Sequence, residues 1–441
     1  MMRWGVLGFL GVTCACGPGA DSASSDVVDK AREEWVRQEV SEHNAWLSEE
    51  IRAEKYGEMA DSAWSFFRGT NHLYWADFAD DERLSEFGAR TFLQGDLHVG
   101  NFGSFHDGEE RVVYDLNDFD EGVVADYQLD LWRGAVSIVL VARDLELADS
   151  DCRAAVNAFA KGYLDASEDF VGNDDELEAM VGPDNAEGPL ADFLAEAATK
   201  TREKMLSKWT VVEDGGRVLQ PDHEDLAPVE DRDALIEAFA AYAWDPEYFT
   251  VKDVALRLHA GVGSLGVPRY YVLIEGSTTS LDDDVILDVK YTALATATEY
   301  LRDSVFASVF STGAERSVAA QRALLASPDA NLGWFTFDDG SYVVRERSPY
   351  KDDIALDEIE GVTALTSLAN QWGAILAAAH ARADNDFDEK LVPTSLEQAV
   401  DELTNNRRSK FYGRVWAVAK GYASQVEKDW QAFLPLAQVK Q

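Results

Sequence analysis

Two short acidic stretches carry the side chains best suited to chemistry. In residues 95–101, Asp96 and Asn101 lie five positions apart on a tight loop, so both side chains can face one cleft. A carboxylate there can orient or deprotonate an attacking hydroxyl, and an amide oxygen can hold a divalent cation. In residues 118–120, Asp118 and Asp120 could complete the coordination of a Mg²⁺ ion that bridges nucleotide phosphates. Alone, each residue could equally serve a turn or a cap, but the combined spacing predicts phosphoryl chemistry.

Together with residues 127–131, these stretches resemble the catalytic core of aminoglycoside phosphotransferases and protein kinases. In that core a loop Asp is the base, an Asn and the Asp before a Phe hold metal, and a later helical Asp anchors the loop. The matching residues here are, in that order, Asp96, Asn101, Asp118 and Asp130. His98 matches a second His found in small-molecule kinases of this group, which makes it a further catalytic candidate. Gln94 stands where that group often has His.

A glycine-rich loop and a strand-borne lysine form a second set of candidates. Residues 261–266 fit the pattern Gly-x-Gly-x-x-Gly between two strand-like runs, which favours a kinase lid over a Rossmann turn, although glycines also serve ordinary turns. Lys290 ends an apolar strand and resembles the kinase lysine that contacts nucleotide phosphates, and Glu299 is the nearest acid that could orient it. The predicted nucleotide-binding residues are Gly261, Gly263, Ser264, Gly266, Lys290 and Glu299.

The order of the motifs differs from that of kinases, where the glycine lid and the lysine precede the catalytic loop. Here they follow it, so either the fold is circularly permuted or one motif is accidental. Residues 365–383 resemble the helix that normally precedes the catalytic loop, which favours permutation. We therefore expect an α+β, kinase-like two-lobe fold, circularly permuted, with a mainly helical large lobe and a small antiparallel sheet lobe.

The chain of 441 residues is too long for one core, and its patterns divide it into five parts. Helical periodicity dominates the first half, including residues 177–194, apart from a hairpin near residues 102–116. Val, Ile and Tyr mark strands between residues 251 and 347, with a predicted helical stretch at residues 293–326 among them. The predicted parts are a lipoprotein signal segment (1–16), a tether (17–26), a helical lobe with the catalytic loop and metal-binding hairpin (27–250), a β lobe (251–347) and C-terminal helices that complete the large lobe (348–441).

The N-terminus predicts a bacterial lipoprotein anchored outside the cytoplasm. Arg3 precedes an apolar run that is too short to span a bilayer, and small residues before Cys16 resemble a lipobox. Cys14 is the alternative lipidated residue, and an ordinary signal peptide or a buried helix stays open. Cys152 would then be the one thiol of the body, and its helical apolar surroundings predict a core position.

Charge restricts the partners of this protein. The formal charge of −42, from 81 acidic and 39 basic residues, repels nucleic acids and anionic lipids, so we expect no nucleic-acid partner and membrane contact only through the lipid anchor. In so acidic a protein, Arg345 or Arg347 near the cleft could orient an anionic substrate, and Arg68 could bind phosphate or pair with an acid.

These observations predict a Mg²⁺-dependent phosphotransferase that uses ATP or another nucleotide and acts on a small-molecule or protein hydroxyl. Nucleotidyl transfer by the same residues stays open, as do a non-catalytic tethered binding protein and a structural lipoprotein with a metal site at Asp118 and Asp120. Several stretches also resemble the bacterial domain-of-unknown-function 2252 family, which implies that they belong to one fold. These stretches are residues 67–69, 95–98, 116–120, 261–266 and 333–334.

Overall fold

A computed structural model of the chain describes residues 21–220, 222–242, 250–258, 265–301 and 309–438. Four predicted functional residues lie outside this part of the chain: Cys16, Gly261, Gly263 and Ser264. Among the helices of the described ranges, none combines the length and the apolarity that crossing a membrane requires.

The described residues form fourteen α-helices and twelve β-strands. The helices are α1 (Asp21–His43), α2 (Glu49–Ala60), α3 (Ala63–Arg68), α4 (Asn71–Phe78), α5 (Gln128–Asp144), α6 (Asp149–Phe170), α7 (Pro189–Ala197), α8 (Arg202–Trp209), α9 (Arg232–Phe239), α10 (Gly313–Leu324), α11 (Gly361–Arg382), α12 (Asn385–Asp388), α13 (Leu396–Thr404) and α14 (Arg408–Gln438). The strands are β1 (Arg90–Leu93), β2 (Phe102–His106), β3 (Val112–Leu116), β4 (Val123–Asp126), β5 (Thr210–Glu213), β6 (Gly216–Leu219), β7 (Leu226–Ala227), β8 (Val251–Arg257), β9 (Arg269–Ile274), β10 (Val285–Tyr291), β11 (Gly333–Phe337) and β12 (Gly340–Glu346).

The large lobe is built around the close packing of α6 against α11. A Cβ atom on Gly162 would lie 2.0 Å from the carbonyl oxygen of Asn370, and one on Gly373 would lie 2.0 Å from that of Phe159. Glycine at both positions therefore lets the two backbones approach to a distance that no side chain permits. The thiol of Cys152 on α6 is fully buried in this core, as its helical pattern predicts.

The small lobe is a six-stranded antiparallel sheet, which confirms the predicted mixed architecture. Its strand order is β11-β12-β10-β9-β8-β7, and β10 lies in the middle between β12 and β9. In that register Lys290 pairs with Arg269 on one side and Val343 on the other. The first five residues of β10, which are mostly Val, Leu and Ile, are all buried. Lys290 follows them and is half-buried, so it lies at the edge of the packed core.

Elements that precede residue 250 also contribute to the sheet and its packing. Strand β7 already pairs with β8, and Leu235 and Phe239 of α9 share a hydrophobic cluster with Val272 of the sheet. Leu206 of α8 packs in the same way in a cluster with Tyr271. The helical periodicity of these segments hid their membership, because periodicity reports the buried face of a helix and not the element it packs against.

Two helical predictions need correction. Residues 177–194 are mostly irregular before α7 begins at Pro189, because Gly182, Pro183 and Gly188 interrupt the helical pattern. In residues 293–326, the described part contains a short 3₁₀ turn at Thr296–Glu299 before α10. By contrast, β2 and β3 form the predicted hairpin.

Candidate functional site

The loop after β1 is held in place by hydrogen bonds to its backbone. Asp130 on α5 accepts from the backbone N–H of Gln94 at 2.7 Å and from that of Gly95 at 3.0 Å. The carbonyl oxygen of Gly95 in turn accepts from the side chains of Asn71 and Trp75, at 3.2 and 3.0 Å. Asp130 thus lies where the sequence resemblance expects an anchor for the loop, and its carboxylate is almost completely buried.

Gly95 has a backbone conformation that only glycine adopts easily at such a close approach. Its φ is +85°, and a Cβ atom there would lie 1.9 Å from the carbonyl oxygen of Glu121. The loop therefore packs directly against the segment that carries Asp118 and Asp120, which brings the two acidic stretches of the sequence together.

A second contact to Asp130 comes from the far end of the chain. The Nε2 atom of His380 on α11 lies 3.3 Å from Oδ2 of Asp130, and its Nδ1 atom lies 3.1 Å from the hydroxyl of Tyr163. The carbonyl oxygen of His380 accepts from the hydroxyl of Thr91, 289 positions away in the chain. The C-terminal end of α11 therefore supports the strand that leads into the loop.

Asp96 faces the cleft with its carboxylate held by a buried arginine. Arg133 donates from Nε to Oδ1 of Asp96 at 2.7 Å, and a second guanidinium nitrogen also contacts that oxygen. The Asp96 side chain is 20% exposed, against 1% for Arg133. Burial raises the pKa of Asp96 to about 6, although Arg133 opposes this shift. The carboxylate can therefore accept a proton near neutral pH, in a fixed orientation.

Asn101 lines the same cleft, directly after the loop. Its Nδ2 donates to the carbonyl oxygen of Asp96 at 3.1 Å, which presents Oδ1 as the acceptor atom of the amide. The backbone carbonyl of Asn101 accepts from the N–H of Asn117 at 2.9 Å, so the loop is tied to the end of the β2–β3 hairpin. This bond fixes the separation of Asn101 from the acids that follow the hairpin.

Asp118 and Asp120 share one cation, the ammonium group of Lys290. The Lys290 Nζ lies 3.4 Å from Oδ1 of Asp118 and forms a closer ion pair with Oδ2 of Asp120. Lys290 and Asp118 are 172 positions apart in sequence, so the fold brings together one member of each predicted set. The backbone of Asp118 has φ +60°, a conformation rare outside glycine that is often retained at functional sites.

The charges around Lys290 shift the pKa of each partner. Burial alone would raise the pKa of Asp118, but Lys290 and Arg345 outweigh it and hold that pKa below its usual range. Burial raises the pKa of Asp120, and the neighbouring charge of Asp118 adds to this effect. For Lys290 burial acts to lower the pKa, yet the two carboxylates raise it overall, so the group is a cation.

This arrangement fits a divalent metal ion. Two carboxylates that already share the cationic head of Lys290 can share a small cation, and the Oδ1 atom of Asn101 is a hard oxygen ligand of the kind Mg²⁺ takes. Asp118, Asp120 and Asn101, which the sequence predicts as metal ligands, therefore stay the candidate ligands.

The cleft has a volume of about 1010 Å³, at the upper end of ordinary ligand pockets. Acidic groups dominate its wall, and Lys290 is the residue that brings a permanent positive charge to the described lining. The acidic residues are Glu39, Glu42, Asp96, Asp118, Asp120, Glu121, Glu299, Asp338 and Asp339. Aromatic side chains, among them Trp46 and Tyr300, also reach the cleft. A bound anion would therefore need a cation as companion.

His98 lies outside the described cleft wall, and Glu299 lacks the predicted ion pair with Lys290 in the described structure. His98 is 4% exposed and packs edge-on to Trp64 at 5.3 Å, and it is not part of the described cleft wall. Burial lowers its pKa well below the usual range, so His98 is a neutral packing residue under the loop. Glu299 does line the cleft, but the ion pairs of Lys290 in the described structure are with Asp118 and Asp120.

Gly266 is the described member of the glycine loop. Its φ is +80°, and a Cβ atom there would lie 2.6 Å from Cδ2 of Leu47. The end of the loop thus packs against α2 and the turn between α1 and α2. The loop's neighbours Val267 and Pro268 line the cleft.

Glu121 and Arg316 are among the residues that organise the site and that sequence reasoning missed. Glu121 accepts from the backbone N–H of Thr296 at 2.6 Å and from its hydroxyl at 2.9 Å, and burial raises the pKa of Glu121 to about 8. Arg316 on α10 donates to the carbonyl oxygens of Asp120, Gly122 and Ala293, at 2.5, 2.6 and 3.0 Å. Arg316 therefore joins the metal-candidate segment to the strand end beyond Lys290.

Residues 48–436 match the family model DUF2252, described as an uncharacterized protein conserved in bacteria. The matched range includes the described site residues discussed above, apart from Glu39, Glu42, Trp46 and Leu47. The chain belongs to the DUF2252 family. This membership confirms the resemblance found in the sequence, and the family description names no reaction. No curated protein and no solved structure matches the chain.

Proposed function

We propose that this DUF2252 protein is a Mg²⁺-dependent phosphotransferase that uses a nucleotide and acts on a hydroxyl group. The observation that carries the proposal is the contact of Lys290 with Asp118 and Asp120, in a cleft that Asp96 and Asn101 also line. A base, a pair of carboxylates and a lysine are the groups that phosphoryl transfer requires, since it is mostly positioning and electrostatic stabilisation.

Each of these residues has a distinct task in the proposed reaction. Asp96, oriented by Arg133, accepts the proton of the attacking hydroxyl, for which a pKa of about 6 is suitable. Lys290 is released from its acidic partners to contact phosphate oxygens of the donor. Asp118, Asp120 and Asn101 would hold Mg²⁺, which supplies positive charge to the transferred group when bound.

The contact between the end of α11 and strand β1 supports a permuted kinase-like arrangement. The carbonyl oxygen of Ala383, just after α11, accepts from the N–H of Phe92 at 3.2 Å, next to the bond between Thr91 and His380. The helix that resembles the one before a kinase catalytic loop therefore ends against the strand that enters the loop. Joining these two points would restore the usual kinase order.

The proposal includes an extracytoplasmic location through a lipid anchor on Cys16 and a hydroxyl acceptor that is a small molecule or a protein. Selectivity for the acceptor depends on the shape of the cleft wall, which motifs do not encode. Nucleotidyl transfer needs the same residues with the nucleotide turned around, so product analysis must separate the two reactions.

The proposal is tested by nucleotide binding to the chain without its first 25 residues. Thermal unfolding is measured with ATP or GTP, each with and without Mg²⁺, for the wild type, Asp118→Ala and Lys290→Ala. We expect a Mg²⁺-dependent rise in melting temperature that both substitutions abolish. Asp184→Ala and Lys428→Ala, which remove exposed charges outside the cleft wall, serve as matched controls and should keep the full shift.

A melting temperature that no nucleotide raises would contradict the proposal and favour a tethered binding protein that uses the cleft for another ligand. A shift with Mg²⁺ alone, unchanged by nucleotide, would favour a metal site without phosphoryl chemistry.

A further inference from the structure

Three cationic side chains line a second, smaller pocket that shares none of its described lining residues with the cleft. This pocket has a volume of about 60 Å³ and lies between the β2–β3 hairpin and the end of β12. The cations are Arg345, Arg347 and Lys351. In a chain with about two acidic residues for each basic one, a group of three cations around one small space is unexpected.

The acids of this pocket already have partners. Both carboxylate oxygens of Asp288 are bound by Arg269, with Nε at 2.6 Å from Oδ1. Glu346 is bound by Arg202 at 2.6 Å, and its second oxygen faces His106 at 3.6 Å. Asp288 and Glu346 are therefore neutralised from outside the group of three cations. The third acid, Asp329, accepts from the backbone N–H groups of Asn331 and Glu346, and burial raises its pKa.

The cations of the pocket have weak partners or none. The ion pair of Arg345 is a long contact of 4.0 Å with Asp288. The Nε atom of Arg347 is buried without a hydrogen-bond partner among the described residues, while the guanidinium lies over the ring of Trp209 at 4.8 Å. Across the same described ranges, Lys351 forms no ion pair within 4.0 Å. Lys351 is exposed at the surface, and partial desolvation by the surrounding protein, then the charges of Arg345 and Arg269, lower its pKa to about 8.

We propose that this pocket binds the phosphoryl group of a small-molecule ligand through Arg345, Arg347 and Lys351. Three positive charges favour a dianion over a single carboxylate, and two of them are planar guanidinium groups suited to phosphate oxygens. A volume of about 60 Å³ holds only a few water-sized groups, at roughly 10–15 Å³ each, so one phosphoryl group fits and a nucleobase with its sugar does not.

The pocket is distinct from the place where Lys290 would contact the donor, although the two are neighbours. Arg345 and Asp288 also line a water-sized cavity that Asp118 and Lys290 share. The rest of the ligand could therefore extend from the small pocket toward the metal-candidate residues. The inference holds whether or not the cleft transfers phosphate.

The test is calorimetric titration of the chain without its first 25 residues with inorganic phosphate, in the presence of a chelator so that no divalent metal takes part. We expect Arg345→Gln and Lys351→Gln each to weaken phosphate binding about tenfold, as the loss of one charge-assisted contact would. The exposed control Lys428→Gln, which removes a cation outside the pocket, should leave the phosphate affinity unchanged.

A second measurement needs no substitution. Amine labelling near pH 8, read by mass spectrometry, should modify Lys351 rapidly in the free protein and slowly with phosphate present. Labelling of Lys351 that phosphate does not slow, or wild-type phosphate affinity in both Arg345→Gln and Lys351→Gln, would overturn the proposal. Succinate binding as tightly as phosphate would overturn the assignment to a phosphoryl group. Nucleotide binding lost in Lys290→Ala while phosphate binding persists would separate this pocket from the proposed phosphotransferase site.

Discussion

Asp130 is expected to be the most sensitive residue behind the catalytic loop. Its buried carboxylate accepts from two adjacent backbone N–H groups and contacts His380. A hydrogen bond to a charged group contributes about 1.5–3 kcal/mol, and a buried donor left without a partner costs a similar amount. Asp130→Ala would orphan the N–H groups of Gln94 and Gly95 together. We therefore expect it to lower the free energy of unfolding by about 3–5 kcal/mol.

The measurement is equilibrium unfolding in urea, followed by circular dichroism. Asp130→Asn keeps one acceptor oxygen and should cost about half as much as Asp130→Ala, whereas Asp184→Ala on the surface should change the free energy by less than about 0.5 kcal/mol. If Asp130→Ala were as stable as Asp184→Ala, the hydrogen bonds that we assign to the loop would not be its anchor, and the reasoning would be refuted.

Three further substitutions test individual parts of the site. Asp96→Asn should lower turnover by about 10²–10⁴-fold while nucleotide affinity stays the same, and retained turnover would exclude Asp96 as the base. Wild-type turnover should fall as the pH drops through about 6, because the base becomes protonated there. Gly95→Ala should be destabilised by more than about 1–3 kcal/mol, because its Cβ collides with Glu121 at a positive φ, and unchanged urea unfolding would contradict this. The pKa of Glu121 rises from 4.5 in the unfolded chain to about 8 in the folded protein. Its contribution to stability is therefore complete below pH 4.5 and is lost as the pH rises through about 8. Glu121→Gln should reduce this pH dependence of the free energy of unfolding, and an equal pH dependence in both proteins would contradict the assignment.

Local motifs predicted most of the site's position. Residues 95–101 and 118–120 came together because the hairpin between them forms as its alternating pattern indicates, which leaves little freedom to the loop ends. Lys290 lies near Asp118 because its strand, which is rich in Val, Leu and Ile, pairs within the six-stranded sheet as predicted. The end of that strand faces the cleft.

The partners of these residues were not predictable in the same way. The resemblance to small-molecule kinases suggested that His98 is catalytic, but its side chain is buried and packs edge-on against Trp64. Glu299 was chosen by proximity in sequence, whereas Lys290 takes its partners from the other lobe. Such choices are made by tertiary packing, which sequence periodicity does not report.

One missed partner did leave a signal in the sequence. Arg133 lies in the middle of α5, a helix whose other residues are mostly apolar and buried. A charge buried in such a helix needs an opposite charge, so Arg133 indicates a nearby functional carboxylate, which is Asp96. His380 could have been recognised by the same argument, since it lies in an Ala-rich buried helix and contacts Asp130.

The most direct test of the central claim, that two distant motifs form one nucleotide site, is a double-mutant cycle. Calorimetry would give the affinity for Mg²⁺ and nucleotide of the wild type, Asp118→Ala, Lys290→Ala and the double variant. Lys290 and Asp118 contact each other and would act on the same phosphates, so we predict a coupling free energy of about 0.5–3 kcal/mol. The loss of binding free energy in the double variant should therefore be smaller, by this amount, than the sum of the losses in the two single variants. Strictly additive losses, or wild-type affinity in either single variant, would contradict the account.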